Sequence, residues 1–423
     1  MHLLLTIAAI IYLFLVIIAC GYYLKISLGI AKGQFEGILG KIADEPFVSI
    51  IVPTFNEEAN IVNCLESLCS LDYPHYEIIL SDGGSTDKTV KLAQPLVDYT
   101  LVDSNLPEGW IGKNWGCHVA SKIAKGELLL FTDADTTHKP DSLKKTVSML
   151  KQKNAGLLTM LPYQELEKWW ESIVPIYFFL SHLVAGGLKS INDPKQKDSF
   201  LGIGQYLLFT RKAYDTIGGH ERIKGSIIED FAFARITKVQ LSSLYVMESN
   251  RLVSTQMYPD SIKQCWTGWK KCLYAGTKLT PGRKITITIV FVLWGIFAPV
   301  AVVLSTLYGS WLAIVIATGS YILFPFILWT YWREKGRHYW ITYVFFPLLL
   351  LVFIIAMITS TFELLFTKTT TWRGRKYSPD LSAGLQDQYD PVQRSSKIID
   401  HYDSEESVEL HLTQPQNMSK TEK

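Results

Sequence analysis

The tetrapeptide Thr132-Asp133-Ala134-Asp135 follows a Leu-rich run, Glu127–Phe131. Extended backbone has a period of two, so Asp133 and Asp135 are expected to project from one face. Two carboxylates facing the same way repel each other unless a cation lies between them. Magnesium takes one or two carboxylates and completes its shell with water and substrate phosphates. The pair therefore reads as a metal–diphosphate site for Mg2+ or Mn2+.

A second acidic pair stands among apolar residues in Ser226-Ile227-Ile228-Glu229-Asp230-Phe231-Ala232. Burying both as charged groups would be costly. Two readings fit: a helix N-terminus with solvated acids, or a general base of raised pKa that takes the proton of an attacking hydroxyl. Two further clusters carry polar groups. In Pro53-Thr54-Phe55-Asn56-Glu57-Glu58, proline ends a strand and the acidic pair opens a helix, where the N-terminal dipole favours negative charge. In Ser81-Asp82-Gly83-Gly84-Ser85-Thr86-Asp87, two glycines let backbone approach a ligand and Asp82 can accept hydrogen bonds from a base or ribose. The bland alternative there is a glycine-rich turn with Asp87 starting a helix.

These clusters need a sheet to position them. Val48–Val52, Glu77–Leu80, Tyr99–Val102 and Glu127–Phe131 have strand character, with helical patterns at Glu57–Cys69 and Lys113–Ala124 between them. Such alternation implies βαβ units and a mostly parallel sheet, hence an α/β domain over residues 46–280. Ligands of such sheets bind beyond the carboxyl ends of the strands, where the polar clusters fall. Gly202-Ile203-Gly204-Gln205 precedes another strand, Tyr206–Phe209, and reads as an acceptor floor or a simple bulge. His220, after two glycines, reads as structural.

Residues 285–332 run for 48 positions without one Asp, Glu, Lys or Arg. One helix of that length overshoots any bilayer, so Ile285–Tyr308 and Trp311–Trp332 form a hairpin turning at Gly309-Ser310. Leu3–Leu24 is long enough to span, within an N-terminal transmembrane helix over 1–25, and lacks the basic start of a signal peptide. Lys25, Lys32 and Lys41 follow that span, Arg283 and Lys284 precede the hairpin, and Arg333, Lys335 and Arg337 follow it. All read as cytoplasmic, so the α/β domain is expected in the cytoplasm of a multi-pass protein of the cell membrane. Charge counting leaves open whether Trp340–Phe366, the last part of the 285–366 membrane region, spans or is re-entrant. Trp169–Leu180 suits the bilayer surface or a buried core helix. Residues 378–423 are polar and expected to be disordered.

With 41 basic and 39 acidic side chains the chain lacks the basic excess of a nucleic-acid binder. Six cysteines without a CxxC pair read as reduced.

The ordered series PTFNEE, SDGGSTD, TDAD and IIED over residues 46–275 resembles the family 2 glycosyltransferases with the GT-A fold. Gly109-Trp110-Ile111-Gly112-Lys113, Ser190–Pro194, Gly218-Gly219-His220 and Trp372-Arg373-Gly374-Arg375 narrow the likeness. They resemble bacterial membrane glycosyltransferases of carotenoid (diaponeurosporenoate) or hopanoid biosynthesis. The resemblance implies transfer of a sugar from a nucleotide donor, a UDP-sugar, to a lipid of polyprenoid type, with inversion. By the same resemblance Thr54 and Glu57 contact the nucleotide, Asp82 binds its uracil–ribose end, and Lys113 approaches the diphosphate. Asp135 holds the metal with help from Asp133, while Asp230 is the base and Glu229 steers donor or acceptor. Two departures matter: the family's paired Asp is here Asp82-Gly83, and the Gln-x-x-Arg-Trp motif of processive synthases is absent. Trp269, in that general region, is placed to stack on a sugar or to sit at the interface. A nucleotidyltransferase would show a Gly-rich phosphate loop near the start, and none is present. Intact Asp135 and Asp230 argue against a non-catalytic lipid-binding scaffold.

Overall fold

The computed structural model describes residues 2–27, 45–308, 311–372, 375–380 and 385. The expected turn at Gly309-Ser310, most of the 378–423 tail, Lys32, Lys41, Arg373 and Gly374 lie outside them. The chain divides into two compact units, one formed by residues 35–162, 200–255 and 377–423, the other by 1–34, 163–199 and 256–376.

The first unit is built on seven strands: β1 Val48–Thr54, β2 Tyr76–Asp82, β3 Tyr99–Val102, β4 Leu128–Phe131, β5 Leu157–Leu161, β6 Leu207–Thr210 and β7 Leu244–Glu248. Their order is β3-β2-β1-β4-β6-β5-β7, and only β6 runs antiparallel to its neighbours. This is the mostly parallel α/β sheet the sequence implies. Ile-, Val- and Leu-rich strands belong at its centre because both faces are covered. Val48, Ile50, Ile51 and Val52 of β1 have no exposed surface, and each such side chain contributes about 1.5–3 kcal/mol by leaving water.

Of the boundaries that differ from expectation, two bear on the site. β1 continues through Pro53 to Thr54, because its pairing with β2 runs on to Thr54↔Asp82 while the β4 ladder has ended at Ile51. The following helix, α2, is Ile61–Cys69 rather than Glu57–Cys69. Glu57 and Glu58 precede it, and their N–H groups bond Thr89 Oγ1 (2.8 Å) and Asp87 Oδ2 (3.1 Å).

The second unit is helical. It contains α1 His2–Ser27 and, numbering onward past α3 Gly112–Ile123 and α4 Glu229–Ile236 of the first unit, α5 Ile262–Leu279, α6 Gly282–Tyr308, α7 Trp311–Trp332, α8 Trp340–Val344 and α9 Phe346–Phe362. Among the described residues, four helical stretches are long and apolar enough to cross a membrane: Ala9–Ser27, Gly282–Tyr308, Trp311–Trp332 and Phe346–Thr367. Residues 169–185 form a short 3-10 turn and a helix buried within this unit, with Ile176, Phe179 and Leu183 in its core. Trp169 remains exposed.

Candidate active site

The first two motifs interlock. Thr54 Oγ1 donates to Asp82 Oδ2 (2.9 Å), and Ser85 Oγ donates to the same oxygen (2.5 Å). Asp82 Oδ1 accepts from the N–H groups of Gly84 and Ser85 at 2.9 and 2.7 Å. Asp82 is therefore buried and holds its own loop in shape. Gly84, at φ +85°, has the left-handed backbone that favours glycine, and a Cβ there would press on Ser104. Asn56, also left-handed at φ 55°, joins the loops by donating its N–H to Ser85 Oγ and accepting from the Thr86 N–H. Glu57 is buried beside them, with Oε2 accepting from Asn60 Nδ2 at 3.0 Å.

Lys113 lies in the first turn of α3. Its Nζ is 2.6 Å from Asp133 Oδ1 and 2.6 Å from Glu229 Oε1, so one ammonium joins the two acidic motifs. Burial works against that charge, but the carboxylates of Asp133 and Glu229 outweigh it and hold Lys113 well above the ordinary lysine value. Asn114 explains how two segments so distant in sequence meet. It is fully buried, and its Nδ2 donates to the carbonyls of Ile223, Lys224 and Ser226, fixing the approach to α4. The N–H of Ile111 adds a bond to the Lys224 carbonyl at 2.8 Å.

Glu229 and Asp230 open α4, as one of the two readings required. They are not both solvated: Glu229 is buried and Asp230 half-buried. Burial and the adjacent Glu229 push Asp230 up to about 7, while Lys113 and the N–H groups of Phe231 and Gly204 pull the other way. The Gly204 N–H reaches Asp230 Oδ2 at 2.9 Å. A Cβ on Gly204 would lie 3.1 Å from Glu229 Oε1, 3.2 Å from Lys113 Nζ and 3.5 Å from Asp230 Oδ2. A Cβ on Gly202 would overlap the Asp230 carbonyl. This glycine segment thus wraps the acid pair, and the neighbouring Gln205 is buried with its carbonyl accepting from Thr132 Oγ1 at 2.8 Å.

Asp133 and Asp135 are not on extended chain. After β4 the backbone turns, and Thr136 closes the turn by donating its N–H (3.3 Å) and hydroxyl (2.7 Å) to the Asp133 carbonyl. The period-two rule therefore does not govern their direction; a turn held from beneath does. Thr132 and Thr136 both spend their hydroxyl protons on carbonyls, so His138 Nε2, 3.1 and 3.0 Å from their oxygens, must be the donor between them. Burial drives His138 down to about 3, in keeping with a neutral ring.

Lys113, Asp133, Gly204, Glu229 and Asp230 thus form one cluster, with Asp135 in the same turn as Asp133 and Gln205 next to Gly204. Thr54, Glu57 and Asp82 belong to the interlocked loops at the ends of β1 and β2. Trp269 belongs to the helical unit, on α5, where its ring centroid is 3.6 Å from that of Tyr177 and 5.5 Å from that of Tyr258. His220 is buried against Phe131 and Phe233, with Nδ1 2.8 Å from the Tyr214 hydroxyl. Sequence reasoning did not single out Asn114, Thr136 or His138. The one available signal was their polarity beside motif residues at positions that a packed core must otherwise fill with apolar groups.

Residues 49–218 match the family model described as glycosyl transferase family 2. The 4,4'-diaponeurosporenoate glycosyltransferases of Staphylococcus haemolyticus (strain JCSC1435) and Staphylococcus aureus (strain USA300) are each 25% identical to this chain over 335 residues, 78% of this chain and 88% of theirs. A mannosyltransferase from Pyrobaculum calidifontis, solved in complex with GDP-Man and Mn2+, superposes with a TM-score of 0.55 at 18% identity, covering 85% of this chain and 99% of that one. Residues 49–218 thus resemble the family 2 glycosyltransferases, and the seven-stranded sheet that carries the motif loops has the GT-A fold.

Proposed function

We propose that this protein is a membrane-bound, inverting glycosyltransferase that moves a sugar from a nucleotide-diphosphate donor to a lipid acceptor of polyprenoid or carotenoid type. In this reading residues 46–280 include a cytoplasmic catalytic domain, and residues 1–25 and 285–366 anchor it in the cell membrane. The single observation that carries the reading is Lys113 Nζ, 2.6 Å from both Asp133 and Glu229. It brings the turn that would face a diphosphate to the acid pair that would face an acceptor. The names of the staphylococcal relatives favour the carotenoid acid class.

The donor set fits a divalent cation. Among the described residues there is no cluster of three or more His, Cys, Asp or Glu side chains arranged to hold a metal. Two carboxylates in one turn suit Mg2+ or Mn2+, whose remaining ligands come from water and phosphate oxygens. Asp135 would hold it and Asp133 would assist. Such an ion, when bound, neutralises the diphosphate leaving group.

The other steps belong to the protein. Thr54, Glu57 and the loop shaped by Asp82 would receive the nucleotide, with a UDP-sugar as the donor. Lys113 would keep Asp133 and Glu229 in place and add positive charge near the diphosphate. Asp230 would accept the acceptor hydroxyl's proton as its oxygen attacks the anomeric carbon opposite the leaving group, so one displacement inverts that centre. Glu229 would steer the sugar or acceptor, and Gly204 and Gln205 would floor the acceptor side. An acceptor carboxylate arrives already ionised, and Asp230 then matters less. Incubating membranes that hold the protein with labelled UDP- and GDP-sugars, then identifying the glycolipid by mass, tests this. A lipid glycoside with release of nucleoside diphosphate is expected; neither product from any donor, with or without Mn2+, would overturn the reading.

A further inference from the structure

We propose that residues 340–367 form a re-entrant segment that enters one leaflet and returns to the face it left, so that, among the described residues, only α1, α6 and α7 cross the bilayer completely. This rests on the membrane-anchored reading above. Composition alone cannot distinguish it from a fourth span, because Phe346–Thr367 has the length of one.

The contacts within the helical unit fix the directions. α6 and α7 are antiparallel, with Trp294 Nε1 donating to Ser320 Oγ at 3.0 Å and its ring 5.2 Å from that of Phe324. The start of α6 and the end of α7 are therefore on one face. α1 runs parallel to α7, since Tyr12 bonds Ser320 and Tyr23 bonds Thr330, so its C-terminal end lies on that face too. The chain leaving α7 stays there. Gln164 exchanges backbone bonds with Lys335 and Arg337, Tyr339 donates to the Glu167 carbonyl, and Thr342 donates to that of Ser172.

From that face α8 descends. The Phe346 ring stacks on Phe324 with centroids 4.6 Å apart. Phe324 is eight residues from Trp332, about 12 Å along α7 and short of the middle of a hydrocarbon core about 30 Å thick. Four residues on, Leu350 packs against Gly295 of α6. α9 then rises. Ser360 Oγ accepts from the Tyr274 N–H at 3.1 Å, and Glu363 pairs with Lys270, so α9 runs antiparallel to α5. α5 ends at Leu279, three residues before α6 begins at Gly282. Tyr274, beside Ser360, is five residues before Leu279 and so close to the start of α6, which returns the second half of α9 to the face that the chain left. Only about ten residues, roughly 15 Å, separate Leu350 from Ser360, half of a crossing.

The test uses the full-length chain. A fluorescent protein fused after Lys423 is expected to fluoresce and an alkaline phosphatase fused there to be inactive; an active phosphatase would overturn the proposal. In a Cys69→Ser background, Lys368→Cys should react with a membrane-impermeant maleimide in inverted vesicles and not in intact cells. Labelling in intact cells would overturn it. Leu307→Cys, at the far end of α6, should label in intact cells. Its failure to do so would overturn the membrane-anchored reading itself, a result distinct from outside labelling of Lys368→Cys.

Discussion

Lys113 and Glu229, 116 residues apart in sequence, form an ion pair of 2.6 Å, and the same ammonium holds Asp133 at 2.6 Å. A single cation thus lets two acidic segments converge. Without it, each carboxylate would face the other's charge in a partly dry site.

Lys113→Met is expected to destabilise the sheet unit by about 1–3 kcal/mol, less than for a fully buried pair because the side chains retain some solvent. Activity should fall at least about tenfold. Lys113→Arg should recover most of the stability but less of the activity, since a planar fork cannot repeat two ammonium contacts of this length. Thermal melts in detergent and turnover of nucleotide-sugar on the same preparations check both.

Asp230, held up to about 7 by burial and by Glu229, should give the reaction with a hydroxyl acceptor a rising pH limb near 7. Asp230→Asn should lower that rate by about 10²–10⁴. Glu229→Gln removes a like charge and should move the limb to lower pH. Because the folded-state pKa exceeds the ordinary 3.8, Asp230's stability contribution is full below 3.8 and is lost as pH rises through about 7. Asp230→Asn should therefore gain stability over the parent as pH goes from 5 to 8, measured by melting at each pH. A fixed difference across that range would refute the raised pKa.

Five of the seven strands and the four motif loops were legible because burial demands Ile, Val and Leu runs and because chemistry at strand ends demands Asp, Glu, Gly and Lys. Less legible was what each polar group touches. Asp82 looks in sequence like a ligand-facing acid, yet its oxygens accept four bonds from Thr54, Gly84 and Ser85, an arrangement that depends on loop closure. Asp133-Ala134-Asp135 looked extended because it follows a strand, but the Thr136 hydroxyl turns it. In the re-entrant reading proposed above, where Trp340–Phe366 ends rests on Ser360 and Glu363 meeting α5, a long-range fact that no hydropathy window contains.

Gly202 and Gly204 should respond differently to alanine. At Gly202 the new methyl meets Asp230 backbone, which cannot step aside, so Gly202→Ala should cost about 1–3 kcal/mol and displace the acid pair. At Gly204 it meets the ends of Glu229, Lys113 and Asp230 at 3.1–3.5 Å. Gly204→Ala should melt within a few degrees of the parent, yet have about tenfold lower kcat/KM for the acceptor. Equal loss of stability in both variants would contradict the geometry.

Removal of divalent cations by chelation should abolish sugar transfer, with Mg2+ or Mn2+ restoring it. Asp135→Asn should raise the Mn2+ concentration needed for half-maximal rate by about 10–100-fold. Thr136→Val removes the hydroxyl that fixes the Asp133 carbonyl and leaves both carboxylates in place. Its effect on half-maximal Mn2+ should be smaller than that of Asp135→Asn but in the same direction, because the turn, not a strand, sets where the acids point. A Thr136→Val protein with unchanged Mn2+ dependence and lowered melting temperature would mean that the hydroxyl only holds the fold together. Direct Mn2+ titration by electron paramagnetic resonance in the presence of UDP separates that outcome from a loss of turnover, since it reads metal occupancy without chemistry.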